Sequence, residues 1–104
     1  MTNILLVDDH AIVREGFKRL IERDGTLSVA GEAASRLEAL ALLARCEPDL
    51  LITDISLAEG SGMALLRDVR ERFPALRCIV LSMHDNPAFV AEALALGAQG
   101  YVTK

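Results

Sequence analysis

Cysteine is scarce in this chain. Cys46 and Cys78 are the only two, which fits neither a disulfide framework nor the close Cys/His spacings of a zinc site. Both are expected to pack as small apolar side chains. No apolar run approaches the roughly 18 residues that a membrane-spanning helix needs, and the start MTNILLVDD has no charged segment leading into a long apolar stretch. A cytoplasmic protein with no membrane partner is therefore expected. There is no Gly/Ser linker, low-complexity tract or internal repeat, so the 104 residues should form one domain. Positive charge is also in short supply: 11 Lys and Arg stand against 15 Asp and Glu, for a net charge of −4. Without a basic stripe to neutralise phosphates, this segment is not expected to bind DNA by itself.

What is present is the composition of a folded domain, with 52% hydrophobic and 25% charged residues. Short apolar blocks alternate with helical patterns, the signature of β/α units. Ile4-Leu5-Leu6-Val7, Leu50-Leu51-Ile52 and Cys78-Ile79-Val80-Leu81 are continuous apolar runs, as expected of central parallel strands covered on both faces. Leu27, Val29 and Gly31 alternate with Ser28, Ala30 and Glu32, and Tyr101-Val102 is very short, so these two segments should be edge strands.

Four helices fit between the strands. Ile12, Val13, Gly16, Phe17, Leu20 and Ile21 recur at helical spacing, and Asp24-Gly25 offers a left-handed stop, giving a helix over about 11–23. Ser35 followed by Glu38 is a capping-box pattern opening a helix that carries Leu37, Leu40 and Ala44 and ends before Pro48. A third helix holds Leu66, Val69 and Phe73 and stops at Pro74. The fourth opens at Asn86-Pro87 and aligns Phe89, Val90, Ala93, Leu94 and Gly97. Right-handed crossovers then give a doubly wound α/β fold around a five-stranded parallel sheet, with its site at the carboxyl ends of the strands.

Asp8 and Asp9 follow the first strand, Asp54 follows the third after Thr53, Ser82 ends the fourth, and Lys104 lies just past the fifth. All five should converge on one edge of the sheet. Three clustered carboxylates repel unless a cation joins them, and oxygen-only ligands suit Mg²⁺ better than zinc. A hydroxyl and an ammonium group opposite would match the oxygens of a phosphoryl group in transfer, chemistry that needs mainly positioning and charge neutralisation. Each residue alone has a blander reading. Asp8-Asp9 would cap the first helix, Asp54 would be a loop residue, Ser82 a capping hydroxyl, Lys104 a solvated lysine, and Tyr101 a half-buried edge aromatic. The joint pattern favours the site. His10 and His84 flank it, but a hard-cation site of carboxylates has no need of imidazole.

The motifs LLVDDH at 5–10, LLITDISL at 50–57, GSG at 60–62, IVLS at 79–82 and GYVTK at 100–104 resemble, in order and along the whole chain, the receiver domains of two-component response regulators. The run LSMHDNPAFVAEALALGAQGYVTK is similar to the NarL/FixJ (LuxR-type) subfamily. The resemblance implies a flavodoxin-like strand order 2-1-3-4-5 and a receiver domain over 1–104. It implies Asp54 as phosphoacceptor, with Mg²⁺ held by Asp8, Asp9, Asp54 and the backbone carbonyl of Ser56. Ser82 and Lys104 match the phosphate-contacting pair, and Ser82 and Tyr101 the switch pair. It further implies a sensor histidine kinase as donor, a homodimer as one assembly, and DNA binding only through a C-terminal helix-turn-helix domain in a longer parent chain. Leu57-Ala58 stands where the family commonly has Met-Pro, and Met83 where a small residue follows the switch hydroxyl. The family's fifth helix, which would follow Lys104, falls outside the sequence, so an apolar strip over Leu5, Val80 or their neighbours is expected to lie open unless another segment or a second protomer covers it.

Two other classes compete. A haloacid-dehalogenase-type Mg²⁺ phosphatase would place its nucleophile in an Asp-x-Asp motif after the first strand, whereas Asp8 and Asp9 are adjacent. A pseudo-receiver, an interaction module that has lost phosphorylation, would not be expected to keep the complete acidic set. A regulated switch, rather than an enzyme acting on other substrates, is the reading the residues favour.

Overall fold

The computed structural model describes residues 2–57, 60–82 and 87–103. Five parallel strands, β1 (Thr2–Val7), β2 (Leu27–Ala33), β3 (Leu50–Asp54), β4 (Arg77–Ser82) and β5 (Gly100–Thr103), form one sheet in the order β2-β1-β3-β4-β5. Helices α1 (Ala11–Glu22), α2 (Arg36–Cys46), α3 (Gly62–Arg72) and α4 (Pro87–Ala95) fill the crossovers. This is the doubly wound topology and strand order expected, with β2 and β5 at the edges. Between β3 and α3, Ser56–Leu57 pairs antiparallel with Gly60–Ser61, a two-residue ladder that the sequence pattern did not announce.

The main core lies on the α2/α3 side. Leu5, Val7, Leu51 and Val80 point there from the sheet and meet Ala39 and Leu43 of α2, Leu65, Leu66 and Val69 of α3, and Ala93 of α4. Leu5 and Val80 are fully buried, so the expected open strip does not lie over them. Because side chains alternate across a strand, the less covered face belongs to their neighbours: Ile52, Ile79 and Leu81 are half-buried and Val102 is 50% exposed. Helix α1 serves this second face without burying any residue completely. Val13, Phe17 and Ile21 are half-buried, while Ile12, at 88% exposure, and Leu20 turn away. The six-residue stripe is thus narrower than its spacing suggested.

Local chemistry sets most helix ends. Ser35 Oγ accepts a hydrogen bond from Glu38 N at 3.2 Å, and Glu38 Oε2 accepts one from Ala34 N at 2.7 Å. This is a capping box shifted by one backbone donor. Glu47 stops α2 in the left-handed conformation, φ 44°, one residue before Pro48. The buried positions of α2 are Ala39 and Leu43, whereas Leu37 and Ala44 face solvent. Leucines lie all round this helix, so spacing alone could not choose the inner face. Helix α4 ends in a Schellman arrangement around Gly97, φ 100°, with Ala98 N bonded to Ala93 O and Gly97 N to Leu94 O. Of its expected stripe only Ala93 is buried, and Asn86, the expected cap, lies outside the described residues.

Asp24-Gly25 works differently from the left-handed stop expected. Gly25 has no positive φ; instead Asp24 Oδ1 accepts from Thr26 N and Thr26 Oγ1 at 2.9 and 2.7 Å. Those bonds hold its carboxyl below the usual range.

One glycine is required by contact rather than by dihedral angle. Gly62 opens α3 and donates to Ile55 O at 2.5 Å. A Cβ at Gly62 would fall onto the carbonyl oxygen of Asp54, among backbone atoms that cannot rotate away. Gly62→Ala is therefore expected to lower stability by about 1–3 kcal/mol through overpacking, read from the urea midpoint. An unchanged midpoint would contradict this contact.

The two cysteines also separate. Cys78 is buried and its thiol is pushed up to about 11 by burial, whereas Cys46 is half-buried. Since the thiolate is the reactive form, a disulfide-exchange reagent at pH 8 is expected to label Cys46 in the native protein and Cys78 only after unfolding. Equal native labelling rates would contradict it.

Candidate functional site

Parallel register brings the chemistry-bearing residues to one edge. Val7 pairs with Thr53 and Asp54 with Leu81, so Asp8, just past β1, Asp54 at the end of β3 and Ser82 at the end of β4 sit at neighbouring carboxyl ends. Asp8, Asp54 and Ser82 are buried, at 3%, 6% and 0% exposure. Asp9 is more open, with 22% of its side chain exposed. One ligand atom each from Asp8, Asp9, His10 and Asp54 can be chosen so that all lie within 4.8 Å of one another. Tyr101 is half-buried in β5 opposite Val80, and Thr103 pairs with Ser82. Ser56 lies in the short ladder two residues beyond Asp54. Lys104, Ala58, Met83 and His84 lie outside the described residues.

The loop after β1 is held from several sides. Asp8 N donates to Ala33 O at 3.0 Å, and Asp8 Oδ1 accepts from His10 N at 2.9 Å. Arg14 Nη1 donates to Asp8 O at 2.6 Å. Arg14 Nε and Lys18 Nζ meet Glu32 of β2 at 3.4 and 3.2 Å, which draws the Lys18 ammonium upward from its usual range. Asp8 thus shares in entering α1, as its capping reading expected, but the N-cap residue itself is His10, which makes no side-chain cap bond. Asp9 is left for another task. Its Oδ1 is buried and has no hydrogen-bond partner; His10 Nδ1 is 2.9 Å away, at ion-pair distance without hydrogen-bond geometry.

An orphaned buried carboxylate oxygen beside two further carboxylates fits a divalent cation. Two like charges about 4 Å apart repel by roughly 4 kcal/mol at an effective dielectric near 20, and a dication offsets this. All-oxygen donors suit hard cations.

Sequence reasoning missed four contributors. Arg14 and Glu32 act through tertiary contact between α1 and β2, for which spacing carries no signal. Gly62 belongs to the GSG motif, but its need for a bare Cα comes from the proximity of Asp54. His10 was set aside on ligand preference, yet its ring nitrogen lies inside the cluster.

The family model of the response regulator receiver domain matches residues 4–104. The DNA-binding transcriptional activator DevR/DosR of Mycobacterium tuberculosis is 40% identical over 104 residues, which cover 100% of this chain and 48% of that protein. The transcriptional regulatory protein UhpA of Escherichia coli is 40% identical, covering 100% of this chain and 52% of its own length. The chain therefore spans about half the length of these curated relatives. Among solved structures, a LuxR-family two-component response regulator from Aurantimonas sp. superposes with a TM-score of 0.96 at 42% identity, covering 100% of this chain and 74% of the other. The isolated receiver domain of RcsB from Salmonella enterica, in the presence of the phosphomimetic BeF₃⁻, gives a TM-score of 0.92 at 33% identity, covering 99% and 77%. With its fold, its acidic edge and these likenesses in agreement, the chain belongs to the response regulator receiver domain family, on the NarL/LuxR-type branch.

Proposed function

We propose that this domain is a signalling switch that accepts a phosphoryl group on Asp54 from a phosphohistidine of a sensor histidine kinase. The observation that carries this reading is the convergence of Asp8, Asp9 and Asp54 within one 4.8 Å cluster, beside a fully buried hydroxyl, Ser82, at the next strand end. A carboxylate oxygen of Asp54 attacks phosphorus; the P–N bond to the donor imidazole breaks as the P–O bond forms. Asp8, Asp9, Asp54 and the Ser56 carbonyl would hold Mg²⁺, which supplies charge neutralisation for the phosphoryl oxygens. Ser82 and Lys104 contact those oxygens. Ser82 and Tyr101 form the switch pair: when the hydroxyl moves toward the new phosphate, the aromatic side chain turns inward and alters the surface around α4 and β5.

The domain promotes its own phosphorylation and dephosphorylation but turns over no other substrate. Burial of Asp54 limits attack of water on the acyl phosphate. The name of the mycobacterial relative, a DNA-binding transcriptional activator, supports an output through a C-terminal DNA-binding domain of a longer protein, with the domain over 1–104 as its control element. The net charge of −4 argues that DNA contact belongs to that other part. Homodimer formation on phosphorylation and a cytoplasmic setting belong to the same reading. Among the described residues, no helix is long and apolar enough to cross a membrane.

Acetyl phosphate with Mg²⁺ tests the reading. Wild-type protein is expected to gain one acid-labile phosphate, and Asp54→Asn none, because an amide cannot form an acyl phosphate. The variant should stay folded, with a urea midpoint equal to or above wild type after loss of one of three repelling charges. Labelling of Asp54→Asn at the wild-type level would refute Asp54 as acceptor, and steady phosphate release would favour a phosphatase.

A second measurement addresses the metal. Asp8→Ala, which removes a residue acting through water, is expected to weaken Mg²⁺ binding roughly tenfold, and Asp9→Ala, which removes a ligand, more than that, with labelling abolished in both. Unchanged Mg²⁺ affinity in the double variant would remove the metal site.

A further inference from the structure

His10 occupies an unusual position for a residue flanking a hard-cation site. Its side chain is 67% exposed, yet Nδ1 lies 2.9 Å from Asp9 Oδ1 and 3.4 Å from Asp8 Oδ1. Neighbouring ligands around an octahedral cation with bonds of about 2.1 Å stand ~3 Å apart. The nitrogen therefore already sits at ligand-to-ligand distance from two carboxylate oxygens. Of these, Asp9 Oδ1 is the buried oxygen that no hydrogen bond satisfies. The backbone keeps the ring there: His10 N is bonded to Asp8 Oδ1, and His10 O accepts the first helical bond, from Arg14 N.

We propose that His10 Nδ1 is a further donor of the Asp8–Asp9–Asp54 site, which lets the site discriminate in favour of first-row transition dications over Mg²⁺. This rests on the metal-binding reading above and deepens it. A site of carboxylates alone already follows the general order of divalent affinities, but imidazole adds a borderline nitrogen that Co²⁺, Ni²⁺ and Zn²⁺ favour and Mg²⁺ does not. Because the ring is mostly exposed, it can swing to a cation without disturbing the core, and aqueous ions can reach it. The consequence is a receiver whose occupancy responds to the available transition metal as well as to Mg²⁺.

Co²⁺ is the probe, since its visible absorption reports ligand type directly, with Mg²⁺ affinity measured on the same protein by calorimetry. For the wild type we expect saturable 1:1 Co²⁺ binding with a d–d spectrum that changes when His10 is replaced. In His10→Asn the ratio of Co²⁺ to Mg²⁺ affinity is expected to fall at least about tenfold, the lower end of what even outer-sphere partners contribute. The other histidine of the chain, His84, is the control: His84→Asn should keep the wild-type ratio and spectrum. Nitrogen NMR provides a second reading, with Zn²⁺ expected to shift Nδ1 of His10 in the wild type. An unchanged ratio in His10→Asn, or equal loss for both ions, would overturn the proposal while leaving the carboxylate site standing. Failure of the wild type to bind either ion would instead overturn the metal site itself, and this proposal with it.

Discussion

Everything at the functional edge depends on the parallel pairing of β1, β3 and β4. Parallel strands run in step, so the residues that end them arrive together, and the pairs Val7–Thr53 and Asp54–Leu81 place Asp8, Asp54 and Ser82 side by side. A shift of one residue in either pairing would move the acidic groups apart and turn each strand's side chains to the opposite face. The burial of Leu5, Leu51 and Val80 holds the register, because slippage would expose an apolar row.

Concentrating negative charge at that edge is unfavourable in the absence of a cation, and the surrounding contacts show how it is accommodated. Backbone donors and the Arg14 guanidinium address the Asp8 turn, while Arg14 and Lys18 are themselves balanced by Glu32. On the other side, α3 approaches so closely at Gly62 that only a hydrogen fits against the Asp54 carbonyl. The carboxylates are thus presented by rigid elements, with the remaining electrostatic demand directed outward, toward a ligand.

The two faces of the sheet differ in how firmly they are covered. The α2/α3 face is closed by large aliphatic side chains and by Arg36, whose guanidinium binds Asp68 of α3 at 2.5 and 3.1 Å and holds that carboxyl below its usual range. The α1 face retains half-buried Ile52, Ile79 and Leu81. Helix α4 contributes only Ala93 to the fully buried core and is tied to α3 by Arg67–Glu92 at 3.0 Å and by Arg70 to the Ala95 carbonyl at 2.5 Å. Exposed ion pairs of this kind contribute little individually. Helix α4, the element next to Tyr101, is accordingly held less firmly than α2 and α3.

The order of elements, the sheet topology and the identity of the acidic residues were legible in the amino-acid sequence. They follow from local rules: continuous apolar runs mark covered parallel strands, Ser35 with Glu38 marks a helix start, and Pro48 and Pro74 mark helix ends. Asp8, Asp9, Asp54 and Ser82 stood out because strands that all run parallel bring their carboxyl ends to the same edge. Tertiary structure alone decided the rest. Which turn of the leucine-rich α2 faces inward, which sheet face is the better covered, why Gly62 has no side chain, and where the His10 ring lies all depend on distances between segments far apart in the chain or on a rotation that periodicity leaves free. Local sequence sets backbone preference and pattern; the packing of one element against another sets proximity, and proximity determines which groups can act together.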